Sequence, residues 1–128
     1  MSMSTSHALV WLDHHHAKVI RIGGGTNDVA QVHDEQHNTR QHNSAVRTQH
    51  EFLGAVCDAL VGFEQVMVTG SGQAQTDFRH YVTAHRRALL PVLVGWETVN
   101  HPTDGELVAL ATTFFHGHDR MIGEHTLA

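Results

Sequence analysis

The sequence predicts an α/β domain: a mixed five-stranded sheet with helices on both faces, in the order β-β-β-α-β-α-β-α. Three observations carry that reading. Short runs rich in Val, Ile and Leu recur along the chain, and apolar stripes at helical spacing alternate with the later ones. The first three runs are joined by connections too short for parallel pairing, so they form an antiparallel meander. The chain has 128 residues, enough to bury one self-sufficient core, and no internal repeat or linker divides it.

The run from His7 to Leu12 is short and almost wholly apolar, as a central strand buried on both faces must be. Asp13 to His16 is a polar turn, and Ala17 to Ile22 follows as a β-branched strand interrupted by Lys18. Residues 23–28 (Gly-Gly-Gly-Thr-Asn-Asp) form a turn by composition, and Val29 to His33 is the third strand. Asp34 to Ala45 has almost no apolar residue and reads as a long exposed loop, while residues 1–6 read as a disordered start. Phe52, Leu53, Val56, Leu60 and Val61 then mark a helix, with Thr48 and Glu51 spaced as a capping box. Gln65 to Thr69 is the fourth strand and ends in Gly70-Ser71-Gly72. Ala74, Phe78, Tyr81, Val82 and His85 share the stripe of a second helix. Pro91 to Val99 is the fifth strand, with Gly95 at a bulge or a close approach. Thr103 and Glu106 repeat the capping-box spacing ahead of Leu107, Leu110, Ala111, Phe114 and Phe115 in a third helix. This is the order of the ribonuclease H-like fold, and the right-handed crossover rule supports the assembly.

Several of these residues carry a resemblance. Ala8-Leu-Val-Trp-Leu-Asp13, three further residues and Lys18-Val-Ile-Arg-Ile22 resemble the first hairpin of the middle domain of eukaryotic and archaeal class-1 release factors and of Pelota. Val66-Met-Val-Thr-Gly70-Ser-Gly72 is similar to the strand and glycine turn after the first long helix there. His101-Pro-Thr-Asp-Gly-Glu-Leu-Val108 is similar to the last helix start of small bacterial proteins of the translational-machinery-component type. The resemblance covers nearly the whole chain and implies a stand-alone middle domain of bacterial type, without the flanking domains of release factors. In release factors a Gly-Gly-Gln tip between the third strand and the first long helix assists peptidyl-tRNA hydrolysis. The matching segment here, Asp34 to Ala45, contains no glycine, and Gly70-Ser71-Gly72-Gln73 falls one strand too late. Pelota-type proteins also lack the tripeptide, so the resemblance implies a binding or rescue-like role and no peptide release.

Composition narrows the function classes. Thirteen acids against eight bases leave a formal charge of −5, which excludes a strongly basic nucleic-acid binder. Protonation of the fourteen histidines below about pH 6.5 would reverse that sign. The single cysteine, Cys57, sits in an apolar helical pattern, reads as a buried structural thiol and suits a reducing cytosol. The start lacks the basic and apolar regions of a signal peptide, and no apolar run approaches a membrane span, so a cytoplasmic address is expected.

Four candidate sites follow. The first is a contact surface for RNA, the ribosome or a protein partner. It comprises His37, Asn38, Arg40, His42 and Asn43 of the long loop, Arg47 after it, and Arg86 and Arg87 in the most basic helix, since these side chains donate to phosphates and base edges. The same residues also read, more simply, as a solvated loop and a solvated helix face. The second is a magnesium-dependent nuclease or hydrolase using Asp13, Asp104 and Glu51, although Asp13 also suits a turn and Asp104 a helix start. The third is zinc, nickel or copper held by His14 and His16, which project to one side of an extended segment. No His-Glu-x-x-His or Cys-x-x-Cys accompanies them. The fourth is an anion turn at Gly70-Ser71-Gly72-Gln73, which lacks a P-loop lysine and is also accounted for as a tight strand-to-helix connection.

Overall fold

The computed structural model describes residues 6–23, 29–33 and 43–127, with side chains described for all of these except 43–46 and 119–127. The elements are β1 (His7–Leu12), β2 (His16–Ile22), β3 (Val29–His33), α1 (Asn43–Ala59), β4 (Gln65–Gly70), α2 (Gly72–His85), β5 (Leu93–Thr98) and α3 (Asp104–Leu127), with a 3-10 turn over Arg87–Val92. The five strands form one sheet in the order β3-β2-β1-β4-β5. β1 pairs antiparallel with β2, and β2 with β3, while β4 runs parallel to both β1 and β5. This is the ribonuclease H-like arrangement that the element order predicts.

The central position of β1 explains its continuous apolar run. Ala8, Val10 and Leu12 point to one face and join a core with Phe52, Leu53, Val56, Cys57 and Leu60 of α1 and Ala74, Phe78 and Val82 of α2. Leu9 points to the other face and joins Ile20, Met67, Leu107, Ala111 and Phe115 beneath α3, with Trp11 packed beside them. The sheet therefore separates α1 and α2 from α3. Two polar side chains are buried in this frame and both are satisfied. The Thr69 hydroxyl donates to the Val10 carbonyl (2.9 Å), and the Gln75 amide donates to the Gly70 and Glu97 carbonyls (2.9 and 2.8 Å), tying α2 to the ends of β4 and β5.

Several element boundaries differ from the expectation. α1 begins at Asn43, five residues before the Thr48 cap, so Asn43 to Ala45 are helical and not loop. The apolar stripe marks where the helix is packed, and the polar turns before it extend past that stripe without leaving a hydrophobic trace. Residues 34–42, the rest of the expected loop, lie outside the described residues, as do residues 1–5. Ser6 is described, and its carbonyl accepts from the amides of Glu64 and Gln65 at 3.0 and 3.1 Å. β5 starts at Leu93 and not at Pro91, because Pro91 has no N–H for a ladder and lies inside the 3-10 turn. At Gly95 the close approach is real: a Cβ there would meet the Phe114 ring at 2.5 Å. The irregular step in the β4–β5 ladder falls beside it, since Val66 pairs with Leu93 and Met67 with Gly95, leaving Val94 as the extra residue.

The capping box of α3 forms as predicted. The Glu106 amide donates to the Thr103 hydroxyl (3.1 Å), and the Thr103 amide donates to the Glu106 carboxylate (2.8 Å).

Candidate functional site

α1 and α2 lie side by side on one face of the sheet, and an open groove between them brings together Arg47, Glu51 and Arg86 of the sequence candidates. Helical spacing puts Arg47, Glu51, Gly54 and Asp58 on one ridge of α1, with His50 and Ala55 beside it, and the facing wall carries Tyr81 and Arg86. The groove encloses about 790 Å³. A smaller continuation of about 290 Å³ runs along Gln49, His50, Asp77, His80, Tyr81 and His85. The helices approach closely here because Gly54 has no side chain: a Cβ on it would lie 2.9 Å from the Tyr81 hydroxyl. Three rings stand along the groove and its continuation, with Tyr81 and His85 4.8 Å apart and His50 5.8 Å from each.

Charge in the groove is partly spoken for. Arg86 caps the C-terminus of α2, its amide donating to the Val82 carbonyl, and its guanidinium donates to Asp58 at 2.6 Å. That hydrogen bond, together with the Asp58 charge, raises the Arg86 pKa further above its ordinary value. Arg47, one turn before His50, is exposed. Arg87 opens the 3-10 turn and is exposed outside the groove lining. The sequence places Arg86 and His85 together at the end of the second helix, but nothing in it brings Arg47 and His50 of α1 beside them. Tyr81 and His85 are marked in the sequence by their i,i+4 spacing on α2. Among the loop candidates, His37, Asn38, Arg40 and His42 lie outside the described residues. Asn43 is the first residue of α1, and its side chain is not among those described.

The carboxylates expected for a metal-dependent hydrolase are not brought together. The Asp104 carboxylate accepts from Lys18 Nζ at 2.8 Å at the start of α3. Glu51 stands on α1, across the sheet. Asp13 closes the β1–β2 turn, its Oδ1 accepting from the amides of His15 and His16 at 2.8 and 2.7 Å. Burial acts to raise its pKa, but those two amides and the neighbouring imidazoles outweigh it, and the net shift is downward. A carboxyl whose folded pKa lies below its unfolded value stabilises the fold above the unfolded value, and loses that effect as pH falls through the folded one. Asp13→Ala is therefore expected to lower stability at pH 7. Urea titrations should show the gap from wild type narrowing as pH drops below about 4.

Among the described residues, no group of three His, Cys, Asp or Glu side chains is placed to hold a metal ion. His14 and His16 do not converge as an extended segment would allow, because residues 14 and 15 form the bend and only His16 enters β2. His16 instead meets His33 across the β2–β3 ladder. The Gly70-Ser71-Gly72-Gln73 turn is closed on itself: Ser71 Oγ accepts the Ala74 amide at 3.2 Å, and Gln73 donates to Asp77. Cys57 is fully buried, and desolvation pushes its thiol up to about 11, so it is a core residue and no nucleophile. No helix among the described residues is long and apolar enough to cross a membrane.

No protein-family profile matches the sequence, and no curated protein matches it. Solved structures do. Pelota from Archaeoglobus fulgidus is similar over 95% of this chain and 34% of its own, with a TM-score of 0.65 at 14% identity. Pelota from Thermoplasma acidophilum is similar over 80% of this chain and 30% of its own, with a TM-score of 0.56 at 17% identity. The archaeal translation termination factor aRF1 is similar over 94% of this chain and 42% of its own, with a TM-score of 0.57 at 13% identity. This chain thus spans between three and just over four tenths of the length of the proteins it resembles. At these identities the likeness is one of fold, and that fold is the middle-domain-like arrangement of Pelota and the archaeal release factor.

Proposed function

We propose that this chain is a non-catalytic, translation-related binding domain that contacts RNA, free or on the ribosome, through the α1–α2 groove. The observation that carries the reading is the groove itself: Arg47 and Arg86 flank the Tyr81, His50 and His85 rings. Guanidinium groups suit phosphate oxygens, and aromatic rings suit an unstacked base, which is how single-stranded RNA is commonly read. With a formal charge of −5 the attraction is local, set by this groove and not by the field of the whole molecule. The fold shared with the archaeal translation termination factor supports a setting in translation. His37, Asn38, Arg40 and His42 precede α1 directly in sequence and extend the proposed contact, with Arg87 beyond the other end of the groove.

Co-sedimentation with ribosomes and titration of a loop-bearing RNA at low salt test the proposal. Binding is expected in at least one of the two. Arg47→Ala, and Arg86→Ala combined with Arg87→Ala, should each weaken it about tenfold, as loss of phosphate contacts does. Absence of wild-type binding to both at low salt overturns it.

A further inference from the structure

The histidines of the β1–β2 hairpin lie on the far face of the sheet from the groove, and the RNA reading makes no use of them. His16 on β2 and His33 on β3 are direct partners in the antiparallel ladder. They share a face with Lys18 and Gln31, the next residues on that side of each strand. Their rings meet edge to face, with centroids 4.9 Å apart and planes at 88°. Both residues are exposed, so neither ring is held in place by surrounding core. On the other side of His16, Nδ1 lies 3.6 Å from Asp13 Oδ1.

We propose that His16 and His33 form a two-histidine site for a late first-row divalent cation such as Zn2+, Ni2+ or Cu2+, open to solvent for its remaining ligands. Facing residues of an antiparallel pair hold their Cβ atoms about 5 Å apart, so two imidazoles there converge without backbone movement. A metal about 2.0–2.1 Å from each nitrogen needs the two nitrogens roughly 3.3 Å apart. Rings with centroids at 4.9 Å reach that spacing by side-chain rotation alone, and their exposure permits it. Asp13 supplies the outer support that such sites use. A carboxylate near Nδ1 favours the tautomer with its proton there and leaves Nε2 as the metal-facing donor. Asp13 is itself fixed by two backbone amides, so this orientation is built into the turn. Lys18, which shares this face, is balanced by Asp104 at 2.8 Å. Imidazole donors and the absence of a converging carboxylate cage favour these cations over magnesium or calcium.

The test is a titration of the full chain with NiCl2 or ZnCl2 at pH 7.5, read by calorimetry and by histidine ring resonances in NMR. One tightest site per chain is expected, with the first metal equivalent perturbing the rings of His16 and His33. His16→Gln and His33→Gln should each weaken that site at least tenfold. His14→Gln and His101→Gln should leave it unchanged, which separates it from weak binding elsewhere in a histidine-rich chain. Both ligands are exposed, so the variants should unfold at the wild-type urea midpoint in the absence of metal. Equal affinity in His33→Gln and wild type, or an equal loss in His14→Gln, overturns the proposal.

Discussion

Gly70→Ala is expected to cost about 4 kcal/mol, a large share of the total stability of a small domain. Gly70 ends β4 opposite Leu12 and turns the chain into α2 with φ at +130°, a region that L side chains rarely enter. A Cβ there would run into the Leu12 carbonyl oxygen, and its next neighbours are also Leu12 backbone atoms. Neither strand can give way, because Leu12 is held in the central ladder between β2 and β4. The strain would also disturb the Gly70 carbonyl, which accepts from both Gln75 and the Val99 amide. Urea unfolding should show a large drop in midpoint with little change in slope. Gly62→Ala is the control. Its φ is +100° but nothing lies within 4 Å, so only conformational strain is paid, about 1 kcal/mol. Similar losses at the two positions would contradict the steric account.

Phe78→Ala should cost about 4 kcal/mol for a different reason. Its ring is fully buried where α2 meets the sheet, in the cluster that also holds α1, and it lies 6.4 Å from Trp96. Trp96 in turn carries the Arg79 guanidinium over its face at 4.4 Å. Removal leaves a cavity under the helix that presents Tyr81 and His85 to the groove. The expected result is a urea midpoint well below wild type, together with faster exchange of α2 amides. A loss below about 1 kcal/mol would mean that α2 collapses into the space, and that the groove geometry is softer than described.

The fold was legible because β1 sits at the centre of the sheet. Its unbroken apolar run, the short connections after it and the stripes of α1, α2 and α3 all report burial, and burial here is decided by the topology. What the sequence concealed was whatever leaves no apolar trace. The apolar stripe of α1 begins only at Phe52, so the helix start at Asn43 leaves no hydrophobic signal in the sequence. The 3-10 turn over Arg87–Val92 ends in Pro91 and Val92, and those two residues read as the beginning of β5. Among candidate residues, the pairing of Arg47 with Arg86 and of His16 with His33 depends on which elements become neighbours. Each pair is far apart in sequence, and no spacing rule reaches across it. Asp13, Asp104 and Glu51 do not converge: Asp13 is held within its own turn, Asp104 pairs with Lys18 of β2, and Glu51 stands on the other face of the sheet.

The most direct test of the groove as an RNA contact is the salt dependence of binding in the Asp58→Asn variant. Asp58 occupies Arg86 through a 2.6 Å hydrogen bond, so RNA must compete with it. With that carboxylate removed, Arg86 is free to meet a phosphate. Affinity for a loop-bearing RNA at low salt should rise. The slope of log K against log salt should steepen by up to roughly 0.7, the value for one full phosphate contact on a single strand, because the Arg86 contact that Asp58 weakens in the wild type is then made in full. Arg47→Ala should shift the slope the other way by the same amount. An unchanged slope in both variants, with wild-type affinity retained, would contradict the claim that this groove is where the chain meets RNA.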